Sequence, residues 1–157
     1  MRRTAPYTTA LIAACVTLFA LSTAGADEHA DALPSVRDPI TSFGAATIGD
    51  WLYVYSGHTG RPHSYSKDDY DMAFRRIDLS KGAAGEWESL PFGPPRQGLA
   101  FVEHKGLLYR IGGLVARNAK GEPPQLHSNA DVERFDPKTK QWSTLTPLPE
   151  ARSSHEA

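Results

Sequence analysis

The feature that most constrains the fold is an internal repeat with a period of about 56 residues in a chain of 157. The matched residues recur in one order and lie 55–58 positions apart: Tyr53 with Tyr109, Gly57 with Gly113, Asp78 with Asp136, and Trp87 with Trp142. The drifts in spacing fall in loops rich in Gly, Lys or Pro. A fixed period of this size indicates one structural unit that is used repeatedly.

Each copy of the repeat predicts four short strands. The first covers 43–48 or 98–102, the second is the Leu-Tyr run that ends in glycine, and the third covers 74–79 or 132–136. The fourth carries Trp87 or Trp142. Gly-Asp, Lys-Gly and Asp-Pro turn signals separate the strands. No apolar spacing of helical period follows residue 26, so the sequence predicts an all-β fold.

The second copy reads Leu-Tyr-x-Ile-Gly-Gly, then Val-Glu-x-Phe-Asp-Pro-x-Thr-x-x-Trp, then Leu-Pro-x-x-Arg, and it closely resembles the Kelch repeat. The resemblance covers roughly residues 43–157 and fits best over 96–149. In the first copy Ser56 stands in place of the first glycine. The resemblance implies Kelch-type β-propeller blades, which are four-stranded antiparallel sheets: about two blades plus the start of a third.

The repeat and the N-terminus suggest five segments. We expect a secretory signal peptide over 1–26, a linker over 27–41, blade A over 42–95, blade B over 96–149, and the first strand of a truncated third blade over 150–157. Propellers typically hold 4–8 blades. We therefore expect the chain to be a fragment of a longer propeller, or else a short chain that completes a ring by oligomerising.

The N-terminal residues predict export. Arg2 and Arg3 precede an apolar run over 10–21, which is shorter than the ~20 residues that span a bilayer. Small residues then lead to a cleavage site near Ala26. This pattern predicts a periplasmic or extracellular protein without a membrane span. The alternative is a lipid anchor through Cys15. Because Cys15 is the only cysteine, the chain cleaved near Ala26 is expected to lack disulfides and thiol chemistry.

Several residues are expected to build the blades. Two glycines would permit close backbone approach, two aspartates would accept backbone N–H groups in turns, and two tryptophans would pack between blades. Arg96 and Arg152 begin the first strands, where a structural role is favoured over a pocket-lining role. The blade-motif residues are Tyr53, Gly57, Asp78, Trp87, Tyr109, Gly112, Gly113, Asp136 and Trp142.

The candidate binding residues lie in the two longest connections, residues 58–73 and 114–131. Hairpin loops usually have 2–5 residues, whereas long loops on a rigid scaffold often carry binding groups. By the repeat, both loops emerge on the same face. No metal site or cofactor is predicted. The candidates are His58, Arg61, His63, Tyr65, Asp69, Arg117, Asn118 and His127.

Two functions remain open at this point. The favoured one is an exported binding module that recognises a protein or carbohydrate partner through the long loops. The alternative is a fragment of a Kelch-propeller enzyme, either galactose-oxidase-like or similar to the sialic-acid mutarotases. The oxidase resemblance implies a Tyr–Cys cross-link, for which the cleaved chain has no Cys. The formal net charge of −1, with both signs interspersed, does not suggest nucleic-acid binding.

Overall fold

A computed structural model of the chain describes residues 33–155 and 157. The predicted signal peptide, its cleavage site near Ala26, Cys15, and the first part of the predicted linker lie outside the described residues. No helix within the described residues is long and apolar enough to span a membrane.

Blade A is a four-stranded antiparallel sheet in which the strands follow one another in order. Its strands are β1 (Gly44–Ile48), β2 (Trp51–Tyr55), β3 (Phe74–Asp78) and β4 (Glu88–Ser89). A two-residue turn pairs Ile48 with Trp51, and Gly49 takes a φ of 54° there. A positive φ at the first turn residue matches the twist of a tight hairpin.

Blade B repeats this arrangement and adds a small hairpin. The chain runs through β5 (Ala100–His104), β6 (Leu107–Ile111), β7 (Leu114–Ala116), β8 (Leu126–Ser128), β9 (Val132–Asp136) and β10 (Gln141–Thr144). The main sheet has the order β5-β6-β9-β10, whereas β7 and β8 form a separate two-stranded sheet. The predicted all-β fold with four-stranded antiparallel blades is confirmed.

Three local features differ from the prediction. A 3₁₀ helix over Leu79–Ala84, kinked at Gly82, follows β3; it is capped by the Asp78 carboxylate, which accepts the Ser80 N–H at 3.0 Å. The helix buries no side chain, so it left no apolar periodicity in the sequence. Strand β4 has two residues and begins just after Trp87. The β7–β8 hairpin occupies part of a connection that was expected to be a plain loop.

Residues 150–155 do not form the predicted first strand of a third blade. Arg152 makes one isolated bridge with Asn129, and the Ser154 N–H donates to the Gly98 carbonyl at 2.6 Å. The Gly98 N–H in turn donates to the Ser42 carbonyl at 2.8 Å. Residues 150–155 therefore repeat the segment that precedes β5, and the prediction placed the strand too early in the repeat.

These repeated positions also share their backbone conformation. Ser42, Gly98 and Ser154 have φ values of 52°, 55° and 53°. Ser56 has a φ of 48°, close to the 60° of the matching Gly112. The serine that departs from the Kelch pattern thus keeps the left-handed conformation of the glycine it replaces.

An aromatic cluster joins the two blades. The ring of Phe74 in blade A lies 4.8 Å from that of Phe135 and 5.4 Å from that of Trp142, both in blade B. Tyr55 lies 5.9 Å from Phe101 and is fully buried. Aromatic pairs at these separations add to the free energy gained by burial alone. The main hydrophobic core is therefore shared between the blades.

The two tryptophans make the same hydrogen bond in successive blades. The indole N–H of Trp142 donates to the Pro91 carbonyl at 2.8 Å, and that of Trp87 donates to the Pro34 carbonyl at 2.9 Å. Thr41 also bridges to His58. The described part of the predicted linker therefore packs against blade A. It lies against Trp87 in the same way as the end of blade A lies against Trp142 of blade B.

Candidate functional site

The two long connections contact each other and form one surface. We call residues 58–73 loop A, residues 114–131 loop B, and their exposed side chains together the loop face. The Lys67 N–H donates to the Asn118 carbonyl at 2.9 Å. The Tyr70 hydroxyl accepts the Ala116 N–H at 2.6 Å, which ties the end of loop A to β7. These bonds cross from one blade to the next and fix the relative position of the loops.

Asn118 was predicted to bind a partner, but its side chain holds the loops together. It is 1% exposed. Its Nδ2 donates to the Tyr65 carbonyl at 2.7 Å and to the Ala119 carbonyl at 3.1 Å, and its Oδ1 accepts the Gln125 N–H at 3.0 Å. Because its amide is buried and bonded on both sides, Asn118 positions the loop face from beneath.

His58 and Asp69 lie inside the base of loop A. The His58 Nε2 is 2.8 Å from the Ser64 carbonyl oxygen, and the Asp69 carboxylate accepts the Ser66 hydroxyl at 2.8 Å. Gly60 runs so close that a Cβ there would lie 2.8 Å from the His58 Nε2 and 2.9 Å from the Asp69 Cγ. Both candidates therefore shape the loop. Among residues 33–155 and 157, no group of three or more His, Cys, Asp or Glu is placed to hold a metal ion.

The other candidates reach the surface. Arg61, His63, Arg117 and His127 are exposed, and Tyr65 is half-buried with its ring 5.3 Å from that of His58. Two further exposed cations, Lys67 and Lys120, were not among the predicted site residues. The exposed charged groups are Arg61, Lys67, Arg117 and Lys120 on the positive side, and Asp68, Glu122 and Asp131 on the negative side.

The loop face thus exposes four cations and three acids, one of which, Asp131, is paired with Arg96, whereas the formal net charge of the whole chain is −1. The remaining acids of loop A are engaged locally: Asp69 is buried, and Asp71 forms an ion pair with Arg75. The Glu122 carboxylate accepts the Ala119 N–H at 2.9 Å. An excess of free cations favours contact with an acidic surface.

Arg96 and Arg152 differ although they occupy matching positions. Arg96 is 6% exposed, and its guanidinium lies 2.9 Å from the Asp131 carboxylate at the end of loop B. Its own N–H donates to the Ser56 hydroxyl at 3.1 Å. Arg152 is exposed and pairs with Glu150 at 3.2 Å. Arg96 thus anchors loop B to the start of its blade.

The sequence reasoning missed a buried ion pair between Arg110 on β6 and Glu133 on β9. Arg110 is 2% exposed, and its guanidinium carbon lies 4.7 Å from the Tyr55 ring and 5.0 Å from the Trp142 ring. Burial lowers the pKa of Arg110 to about 10 and raises the pKa of Glu133. Strand alternation was the available signal, because Arg110 shares its face of β6 with buried Leu108.

Known proteins resemble this chain in both sequence and structure. The family model for the Kelch motif matches residues 95–149. Beta-scruin of Limulus polyphemus is 27% identical over 118 residues, which cover 74% of this chain and 11% of that protein. Kelch repeat and BTB domain-containing protein 13 of Homo sapiens is 31% identical over 108 residues, covering 68% of this chain and 20% of that protein.

The chain thus spans about a tenth to a fifth of the length of these curated relatives. A solved structure titled "Structure of YjhT" superposes with a TM-score of 0.60 and 24% identity, over 79% of this chain and 32% of that chain. A likeness at this identity shows the fold. With the Kelch motif on blade B, its matched copy in blade A, and a four-stranded sheet in each, this chain carries Kelch repeats and folds as Kelch-type β-propeller blades.

Proposed function

We propose that this chain is a protein-binding scaffold whose loop face contacts an acidic region of a partner protein. The observation that carries the proposal is the excess of exposed cations on two loops fixed by Asn118 and Tyr70. Kelch repeats generally mediate protein binding, and rigidly held loops are common sites of recognition. Prior ordering of the loops reduces the entropy lost when a partner binds.

A charge-reversal experiment tests the proposal. Arg61→Glu combined with Arg117→Glu replaces two exposed cations of the loop face. The matched control, Lys81→Glu with Lys138→Glu, makes the same change in charge at exposed positions outside both loops. The probe is a fluorescent peptide of alternating aspartate and valine, followed by anisotropy at low and at physiological salt.

We expect the loop variant to bind the acidic peptide about tenfold more weakly than the control variant. Equal binding by both variants would refute a role for the loop face. A glycan array serves as a parallel arm, because a carbohydrate is the other partner class that the loops could serve. Binding to a neutral glycan without binding to the acidic peptide would replace the protein partner by a sugar.

We also propose that the protein is exported, so that its partner lies in the periplasm or outside the cell. The basic start, the apolar run over 10–21 and the small residues up to Ala26 support this proposal. Mass spectrometry of the chain expressed in an exporting bacterial host is expected to find a mature N-terminus at Asp27. Recovery of the uncleaved chain from the cytoplasm would contradict export, and lipid attached at Cys15 would identify a lipoprotein instead.

A further inference from the structure

The tip of loop A is a tight turn that runs from Arg61 to Ser64. The Ser64 N–H donates to the Arg61 carbonyl at 3.0 Å, which closes the turn. Pro62, at the second position, has a negative φ fixed by its ring, whereas His63, at the third, has a φ of 61°. This sequence of signs identifies a type II turn. Such a turn favours glycine or asparagine at its third position, because a Cβ there crowds the backbone.

Loop B contains the same turn with the expected residue. The Glu122 N–H donates to the Ala119 carbonyl at 3.2 Å, and Gly121 at the third position has a φ of 87°. A Cβ at Gly121 would meet no atom within 4 Å, so lack of space does not require glycine there. What glycine supplies is the positive φ without strain. Loop A makes this turn with a histidine and therefore carries strain that loop B avoids.

The strain at His63 differs from that at the other positive φ values. Within the described residues, six residues other than glycine have a positive φ, and of these His63 alone lies in loop A or loop B. Lys105 belongs to the two-residue hairpin between β5 and β6, where a left-handed residue suits the turn. The Ser56 hydroxyl accepts the Arg96 N–H. His63 is exposed, so packing among the described residues does not offset its strain.

Contacts beneath the turn hold it in this conformation. The His58 Nε2 lies 2.8 Å from the Ser64 carbonyl oxygen, and the His58 ring lies 5.3 Å from the Tyr65 ring. Gly60 is packed so closely that a Cβ there would lie 2.8 Å from the His58 Nε2. Strain persists where the surrounding structure enforces it, and it is concentrated at binding sites. The cost belongs to the turn itself and does not depend on what lies beside it.

We propose that His63 is a partner-contact residue of the loop face, which donates an imidazole N–H to a carboxylate of the acidic partner. This inference rests on the proposed function and names a residue that selects the partner. An imidazole always has an N–H to donate, and an ionised carboxylate only accepts. Arg61, two residues earlier, is also exposed and adds a guanidinium donor. Donors on a rigid turn favour a carboxylate at a defined position over a diffuse negative charge.

Two substitutions separate the imidazole from the backbone conformation. His63→Gly and His63→Ala both remove the imidazole, but only glycine suits the positive φ. We expect both variants to bind the alternating aspartate–valine peptide about fivefold more weakly than the unaltered chain, the loss of one hydrogen bond. We expect His63→Gly to unfold at a higher urea concentration than His63→Ala. Normal peptide binding by His63→Gly, or a urea midpoint no higher than that of His63→Ala, would overturn the inference.

The matched control removes an exposed histidine at the other end of blade B. His104 ends β5 beside the β5–β6 turn, away from both loops, and His104→Ala makes the same change in side chain as His63→Ala. We expect His104→Ala to bind the peptide within about twofold of the unaltered chain. Equal weakening by the two alanine variants would show that the loss at His63 is not a loss of contact.

Nuclear magnetic resonance of the histidine rings tests the contact without any substitution. Addition of the peptide to the unaltered chain is expected to shift the ring signals of His63 and to leave those of His104 in place. A peptide that binds while the His63 signals stay unchanged would exclude the proposed hydrogen bond. This measurement also decides the question if either variant at position 63 fails to fold.

The failures of the two proposals are distinguishable. If the Arg61→Glu/Arg117→Glu variant binds the peptide weakly while His63→Gly binds it normally, the loop face stands and the role of His63 is wrong. If only His63→Gly binds weakly, the contact at His63 stands and the charge argument for the loop face fails. If neither change affects binding, both proposals fail.

Discussion

Removing Glu133 is expected to destabilise the protein because it leaves the Arg110 guanidinium buried without its carboxylate. Burial lowers the pKa of Arg110 from its ordinary value to about 10. The shift corresponds to a bias of roughly 3 kcal/mol against the charged form in the folded protein. Truncating one member of a buried ion pair typically costs 3–5 kcal/mol. We therefore expect Glu133→Ala to lower the free energy of unfolding by about 3 kcal/mol.

The matched control replaces both members of the pair with apolar residues of similar size. Arg110→Met/Glu133→Leu leaves no isolated charge, and the Tyr55 hydroxyl keeps its 2.8 Å bond to the Pro94 carbonyl. We expect the double variant to unfold within about 1 kcal/mol of the unaltered chain. Urea denaturation followed by tryptophan fluorescence measures both variants. A loss below about 1 kcal/mol in Glu133→Ala, or an equal loss in both variants, would refute the reasoning.

Three further outcomes can be measured by the same denaturation method. We expect Trp142→Ala to lower the free energy of unfolding by about 3 kcal/mol, and by more than Trp87→Ala, because of the two only Trp142 joins the aromatic cluster between the blades. Equal losses in the two variants would contradict this role of Trp142. Gly106 and Gly113 both have a positive φ, which strains alanine, but only at Gly113 would a Cβ also lie 3.1 Å from a neighbouring atom. We therefore expect Gly113→Ala to lower the free energy of unfolding by more than the roughly 1 kcal/mol expected for Gly106→Ala. Burial raises the pKa of Glu133, so the folded protein holds this proton more tightly than the unfolded chain does. The contribution of Glu133 to the free energy of unfolding should therefore fall as pH rises from about 4.5 through the folded-state pKa. Glu133→Gln should remove this part of the pH profile, and an unchanged profile would contradict the reasoning.

The sequence could predict the strands that carry repeated residues. Tyr53 and Tyr109 mark the second strand of each blade, and strand alternation with tight turns then places the neighbouring strands. Strand β4 was harder to delimit, because only two residues beside Trp87 pair with β3. The hairpin β7–β8 escaped prediction because its strands have three residues each, too few to show a period.

The candidate site was predicted by region rather than by residue. Residue type alone does not distinguish Asn118, whose amide is satisfied within the loops, from Arg117 beside it, which is exposed. His58 is buried because loop A folds back over it, so its burial depends on a loop conformation that residue type does not reveal. The pairing of Arg110 with Glu133 likewise depends on strand register across an intervening loop. Burial of polar groups is a tertiary property, so a list of suitable side chains overestimates the site.

The aromatic cluster between the blades also bears on how the chain unfolds. Blade A buries Phe74 and Tyr55 against rings supplied by blade B, so neither sheet has a complete core when separated from the other. In an array of repeats, the free energy divides between each unit and its interfaces, and strong interfaces make neighbouring units melt together. These two blades should therefore behave as a single cooperative foldon, with the slowest amides of β2 and β6 exchanging through one common opening event.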